Sequence, residues 1–216
     1  MTKLYGFAVS NYYNMAKFAL LEKGIKFDEV AAMPSQENDY KAKSPMGKVP
    51  CLETDKGFLS ETNVILEYIE ATSANPALLP ADAFVAAKVR EVMKVLELYI
   101  ELPARRHYGE LFFGGPRSQA AFDEAKPVME NGVNALKALC SFKPFLCGSF
   151  SLADIIAAHT FIYAQSVAQA IYGWDLVAAV PGLSGALEAT NARAAGAKVM
   201  TDQQAALKAF QEQAKG

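Results

Sequence analysis

Four short segments carry groups placed for chemistry. Ser10-Asn11 interrupts an apolar run just ahead of a helical pattern. A hydroxyl there can cap the first turn of the helix, and it can also donate a hydrogen bond to an anion drawn to that end. Val49-Pro50 precedes a short strand-like run. X-Pro bonds take the cis form at modest cost, and a cis bond at Pro50 would turn the Val49 backbone toward an extended partner. An ordinary trans proline at the first position of a strand is the other reading. Ser60-Glu61-Thr62 opens a helix, whose unpaired N–H groups and partial positive charge attract a carboxylate. Plain capping by Ser60 with an acidic first turn reads equally well. Ser151 and Asp154 have the S-x-x-D spacing of a capping box, with Phe150 and Ile155 placed as its hydrophobic staple.

The bulk of the chain narrows what these groups can serve. Its 216 residues can bury one large core or two modest ones. Hydrophobic residues at 52% and charged residues at 20% exclude a disordered chain. Net charge is −2, and no basic stripe with interleaved aromatics is present, so no nucleic-acid partner is expected. The cysteines, Cys51, Cys140 and Cys147, are odd in number and form no C-x-x-C pair. That speaks against a disulfide framework and against a structural zinc; no metal site is expected. No basic segment followed by a long apolar run opens the chain, and no apolar stretch reaches transmembrane length. A cytoplasmic protein with no membrane contact is expected.

The elements that must position these residues follow from periodicity. Lys3–Val9 reads as a buried strand, and Tyr13–Lys23 as a helix ended by Gly24. Ile25–Ala31 reads as a second strand, and the polar stretch 35–43 holds a short helix. Cys51–Thr54 and Gly57–Leu59 read as strands joined by Asp55-Lys56. Glu61–Ala71 is a helix with Val64, Ile65, Tyr68 and Ile69 on one face. After the connector Asn75–Asp82, with Pro76 and Pro80, only helical patterns remain, over 84–102, 118–139, 152–170 and 182–195. Residues 204–216 read as a polar terminal helix or a frayed tail. Mixed α/β followed by all-α predicts domains at 1–78 and 84–216.

The segment SPMGKVPCLETDKGFLSETNVILEYI at 44–69 resembles the core signature of the glutathione transferase superfamily. GSFSLAD at 148–154 resembles the capping box opening the central helix of that family's second domain. Both occur in the family's order, and the resemblance covers essentially the whole chain, in its serine-type, bacterial-like form. It implies an α/β thioredoxin-like N-terminal domain, an all-α C-terminal helical domain, a homodimer, and glutathione as co-substrate with no other cofactor.

The same resemblance implies roles. Val49 beside Pro50 would pair with the cysteinyl backbone of glutathione, and Glu61 and Thr62 would take its γ-glutamyl end, where many relatives carry serine in place of Thr62. Lys48 would contact the glycyl carboxylate, or stay a solvated surface lysine. Another contact is expected from Gln36, Lys41 or Lys43. Ser10, with Asn11 as its neighbour, would activate the thiol. A free thiol has a pKa of about 8.5, and lowering it by two units needs about 2.7 kcal/mol. One hydrogen bond to a charged acceptor contributes roughly 1.5–3 kcal/mol and a helix N-terminus roughly 0.3–1, so one hydroxyl suffices. Tyr5, Tyr12 and Tyr13 are the rivals; tyrosine-type relatives place the hydroxyl where this chain has Gly6 and Phe7. An apolar electrophilic small molecule is expected between the domains, against Tyr12, Arg105, Tyr108 and Phe112, where ordinary packing and surface charge also account for the residues. His159 on an apolar face reads as a core histidine. A binding protein without turnover, and a glutathione-dependent disulfide or peroxide reductase, are the competing functions.

Overall fold

A computed structural model describes residues 1–73 and 75–213. Strand β1 spans Thr2–Gly6, β2 Phe27–Ala31, β3 Cys51–Thr54 and β4 Gly57–Ser60; helix α1 spans Asn11–Glu22, α2 Asn38–Lys41 and α3 Thr62–Thr72. The strands form one sheet in the order β2-β1-β3-β4, with β1 and β2 parallel and the other two pairings antiparallel. This β-α-β unit followed by a β-hairpin and a helix is thioredoxin-like. Leu4, Phe18, Leu52, Ile65 and Ile69 fill its core.

Two expectations need correction here. The first strand stops at Gly6 rather than Val9, because 7–10 turns through the Ser10 N–H to Phe7 carbonyl hydrogen bond at 3.0 Å. On α3 the buried face carries Leu66 with Ile65 and Ile69, while Val64 is 51% exposed. Thr62, Ile65, Leu66 and Ile69 form the i, i+3, i+4, i+7 stripe that is buried, and Val64 lies off it.

Downstream lie α4 (Ala83–Val95), a π-helical turn over Leu96–Glu101, α5 (Leu102–Arg105), α6 (Tyr108–Phe113), α7 (Gln119–Leu139), α8 (Leu152–Tyr172), α9 (Leu183–Asn191) and α10 (Ala194–Gln213). The expected single helix over 84–102 is therefore interrupted by the π turn. Its apolar period is so close to that of an α-helix that no sequence signal separates them. Gly132 of α7 meets that turn so closely that a Cβ would lie 2.8 Å from the Tyr99 carbonyl oxygen and from the Ile100 side chain. The expected helix over 182–195 breaks at Ala192-Arg193. Of the tail, residues 204–213 are helical and 214–216 lie outside the described residues. Among the described residues no helix is long and apolar enough to cross a membrane.

Asp154 anchors the start of α8. Fully buried, it accepts from Ser151 N–H at 2.9 Å, Ser151 Oγ at 2.9 Å and the Leu146 N–H at 2.8 Å. The capping box is thus formed, and it also holds the loop ahead of it.

The chain forms two compact units. One is Met1–Ala77 together with the segment from Asn191 onward; the other is Leu78–Thr190. Helix α10 accordingly packs on α1 of the sheet unit, although it follows all the other helices in sequence. In the same unit Lys23, with a fully buried side chain, donates to the carbonyls of Ser73 at 2.5 Å and Pro76 at 2.8 Å and pairs with Glu70 at 2.6 Å. Three acceptors for three ammonium protons fasten the connector to the end of α1.

Candidate functional site

Strand register brings the first three segments to one end of the sheet. Cys51 pairs with Tyr5 on one side and Ser60 on the other. The β1 end leading to Ser10, the β3 start at Val49-Pro50 and the β4 end leading to Glu61-Thr62 therefore adjoin.

The loop 44–48 is pinned from below. Ser44 Oγ donates to the Lys48 carbonyl at 2.8 Å and the Tyr40 hydroxyl to the same oxygen at 3.2 Å. Gly47 N–H donates to the Ser44 carbonyl at 2.7 Å, and Ser35 N–H to the Gly47 carbonyl at 2.9 Å. Gln36 Nε2 donates to the Met46 carbonyl at 3.3 Å. Gly47 has φ of +65°, and a Cβ on it would lie 2.2 Å from the Ser35 carbonyl oxygen, so only glycine fits. Beyond this clamp the Val49–Pro50 peptide is cis, Pro50 is buried and Val49 half-buried. Among the described residues none hydrogen-bonds to the Val49 backbone. An N–H and C=O left open in this way are available to water or to an extended ligand. Lys48 is exposed. Of the remaining candidates in 35–43, Gln36 serves the loop, Lys43 lies 5.1 Å from the Tyr5 ring centre, and Lys41 is half-buried.

Gly47→Ala is expected to lower stability by at least about 1 kcal/mol and to weaken binding of any ligand on Val49 by on the order of tenfold. Thermal denaturation and calorimetric titration with glutathione check both.

Helix α3 begins unusually. Its N-cap is Glu61 rather than the expected Ser60, because Ser60 is still held in the ladder opposite Cys51. Glu61 has φ of +67°, a costly conformation for a residue with a Cβ, and no side chain caps the helix. By contrast Ser10, Asp82 and Ser118 each cap their helices with a side-chain oxygen. The free end of α3 carries Thr62, 8% exposed, and next to it the exposed Glu61. An ammonium and a carboxylate on one ligand would match this acid and these N–H groups.

Ser10 caps α1. Its Oγ accepts from the Tyr13 N–H at 3.3 Å, while Asn14 Nδ2 holds the Ala8 carbonyl at 2.8 Å. Capping uses a lone pair of Oγ and leaves its proton for another acceptor, so capping and thiolate stabilisation are compatible. Asn11 is buried and Tyr12 half-buried. Two rivals are already committed. The Tyr5 hydroxyl donates to Glu53, and that bond raises its pKa. The Tyr13 hydroxyl donates to Glu29 at 2.5 Å, with burial first and Glu29 second pushing its pKa up. Gly6 has no room for a side chain, since a Cβ would lie 2.3 Å from the Tyr13 ring. Cys51 is core: fully buried, with its thiol pushed up to about 11 by burial.

In the helical unit, Arg105 donates to the buried Glu101 through Nε at 2.8 Å and Nη2 at 2.5 Å, and lies 4.7 Å from the Tyr108 ring centre. This salt bridge pairs the Arg105 charge with a carboxylate of the same unit. Tyr108 and Phe112 meet Tyr163 at 5.7 and 5.6 Å between ring centres, with Phe112 exposed. Glu101 and Tyr163 were not anticipated: an acid inside VLELYIEL reads as solvent-facing, and Tyr163 reads as ordinary core. His107 is buried against the Tyr172 hydroxyl at 2.7 Å, and His159 is fully buried. Two cavities in the sheet unit, of about 390 and 320 Å³, are lined by neither Ser10, Val49 nor Thr62. Open N–H groups, rather than a closed cavity, mark the candidate site. Among the described residues no cluster of three or more His, Cys, Asp or Glu side chains could hold a metal.

Comparison with known proteins gives a consistent picture. The family model for the glutathione S-transferase N-terminal domain matches residues 4–77. A glutathione S-transferase of Pseudomonas putida is 45% identical over 213 residues, covering 98% of this chain and 97% of its own. The holo structure of maleylpyruvate isomerase, a bacterial zeta-class glutathione S-transferase, superposes with a TM-score of 0.74 at 25% identity, over 91% of this chain and 95% of that one. A glutathione S-transferase from Methylobacillus flagellatus, solved with glutathione bound, superposes with a TM-score of 0.77 at 23% identity, over 92% and 98% of the two chains.

Proposed function

The chain belongs to the glutathione S-transferase family, and from that premise we propose that it binds glutathione across Val49 and the start of α3 and turns its thiol on an electrophilic small molecule. The observation that carries this reading is the unsatisfied Val49 backbone beside an uncapped helix end. A tripeptide pairs its cysteinyl N–H and C=O with Val49 in the manner of an added strand. Its γ-glutamyl carboxylate meets the Thr62 end of α3, and its ammonium meets Glu61. Ser10 donates its proton to the sulfur, and the N-terminal end of α1 adds a favourable field. The thiol proton passes to solvent, and the thiolate attacks the electrophilic carbon, forming the C–S bond as the leaving group, the halide of an aryl halide, departs as an anion with the bonding electron pair. Lys48 is the reach for the glycyl carboxylate.

Within the helical unit the Tyr108, Phe112 and Tyr163 rings, with Arg105 held by Glu101, offer the electrophile an apolar surface; this favours an apolar, uncharged substrate. A homodimer is the proposed assembly, supported by exposed apolar side chains such as Phe58, Val64 and Phe84. The cytoplasm is the proposed location, where glutathione is abundant and the three free cysteines stay reduced.

Calorimetric titration with reduced glutathione, followed by a conjugation assay with an aryl halide, tests the reading. Saturable binding at millimolar glutathione together with turnover is expected. Absence of binding overturns it. Binding without turnover on several classes of electrophile would leave a glutathione-binding protein.

A further inference from the structure

Three contacts meet on Tyr13, in the first turn of α1. Its N–H donates to Ser10 Oγ at 3.3 Å. Its ring occupies the space beside Gly6 that a side chain there would need. It is 2% exposed, and its hydroxyl donates to Glu29 Oε2 at 2.5 Å. The same oxygen accepts from Lys17 Nζ at 2.7 Å, and Lys17, 3% exposed, also pairs with Asp202 Oδ2 at 2.7 Å. Lys198 completes the pairing of Asp202 at 2.5 Å. Hydrogen bonds therefore run from α10 through α1 and β2 to the Tyr13 phenol, and the covalent frame of Tyr13 joins that end to the backbone N–H that holds Ser10.

Such a chain has a specific use. A serine hydroxyl has three staggered orientations and a freely rotating proton. Holding Oγ against the Tyr13 N–H selects one orientation and leaves the proton directed away from the helix. That selection is only as firm as Tyr13 itself. Tyr13 is fixed by its ring against Gly6 and by its phenol on the Glu29 carboxylate, whose same oxygen the buried Lys17 ammonium also holds. A buried Lys between two carboxylates is costly to open, since each partner removed leaves an uncompensated charge. Desolvation works against the charged form of Asp202, but Lys17 and Lys198 outweigh it and hold its pKa low.

We infer that Tyr13 is a positioning residue for the Ser10 hydroxyl, and that the terminal helix α10 sets the orientation of that hydroxyl through Asp202, Lys17 and Glu29. This deepens the proposed function and rests on Ser10 as the donor to the thiolate. Tyr13 itself never reaches the sulfur, because its only proton is spent on Glu29.

The test uses the full-length protein with glutathione as the probe, in four variants: Ser10→Ala, Tyr13→Phe, Asp202→Asn and the Ser10→Ala/Tyr13→Phe double. Ultraviolet absorbance of the bound thiolate is titrated against pH, alongside kcat and KM for glutathione and thermal midpoints. Tyr13→Phe keeps the ring and is expected to lower kcat roughly threefold to tenfold and to move the thiolate titration upward, with KM changed less than about twofold. Asp202→Asn, at a part-exposed site on α10, moves the titration the same way by less. In the Ser10→Ala background Tyr13→Phe adds nothing to the pH profile. A lower thermal midpoint with an unmoved titration in both Tyr13→Phe and Asp202→Asn would mean packing alone and overturns the inference; so would additive effects in the double variant. If Ser10→Ala itself leaves the titration in place, the assignment of Ser10 fails first and the inference falls with it.

Discussion

Replacing Ser10 with alanine is expected to lower kcat/KM for conjugation by roughly 10- to 150-fold, the range set by losing one hydrogen bond to a charged acceptor. The same change should raise the pKa of bound glutathione by roughly one to two units and leave its binding affinity nearly unaltered, because the peptide contacts are proposed at Val49 and Thr62. The pH profile carries the sign. With the hydroxyl present, thiolate is populated at neutral pH; without it, the ascending limb of kcat/KM moves to higher pH, and the two enzymes converge in alkaline solution. Ser10→Ala also removes the cap that accepts the Tyr13 N–H, at about 1 kcal/mol of stability. Ser10→Thr, which keeps both hydroxyl and cap, should recover most of the loss. An Ser10→Ala enzyme with an unmoved profile would shift the role to Asn11.

The second large effect is on folding. Asp154 is fully buried and accepts from two backbone N–H groups and a serine hydroxyl. Asp154→Ala strands those donors away from water, at roughly 3–5 kcal/mol. For a chain of this size that corresponds to a thermal midpoint lower by on the order of 10 °C. Whatever variant remains folded at low temperature should keep its KM for glutathione, since nothing at Val49, Glu61 or Ser10 depends on Asp154 for a hydrogen bond. Scanning calorimetry and steady-state kinetics below the transition separate the two readouts. A midpoint unchanged by Asp154→Ala would mean that the Leu146 and Ser151 amides find other acceptors.

The sequence made the site legible where spacing and residue type coincide with local structure. Cys51–Thr54 and Gly57–Ser60 flank a two-residue turn, and that hairpin alone carries Val49 and Thr62 to the same edge. Ser10 was legible as a cap because a hydroxyl stood between an apolar run and a helical period. What escaped was long-range pairing. Lys17 sits in the middle of α1, where a lysine reads as solvent-facing, yet its partners are 12 and 185 residues away in sequence. No periodicity reports a buried charge that is compensated from another element. Glu61 escaped for a different reason: its positive φ is unfavourable for its own residue type, so propensity points to Ser60 as the cap, and tertiary pairing with Cys51 overrides it. The helix break at Ala192-Arg193 has no glycine or proline to announce it.

The placement of α10 has a consequence for biosynthesis. Chains emerge from the ribosome N-terminus first, and most leading domains can settle before the rest is made. Here the leading sheet lacks a neighbour that is translated only after the whole helical unit. The nascent sheet unit must therefore stay incomplete through the synthesis of more than a hundred intervening residues, and a chain cut short ahead of α10 would have a whole helical unit and a sheet unit missing one of its helices.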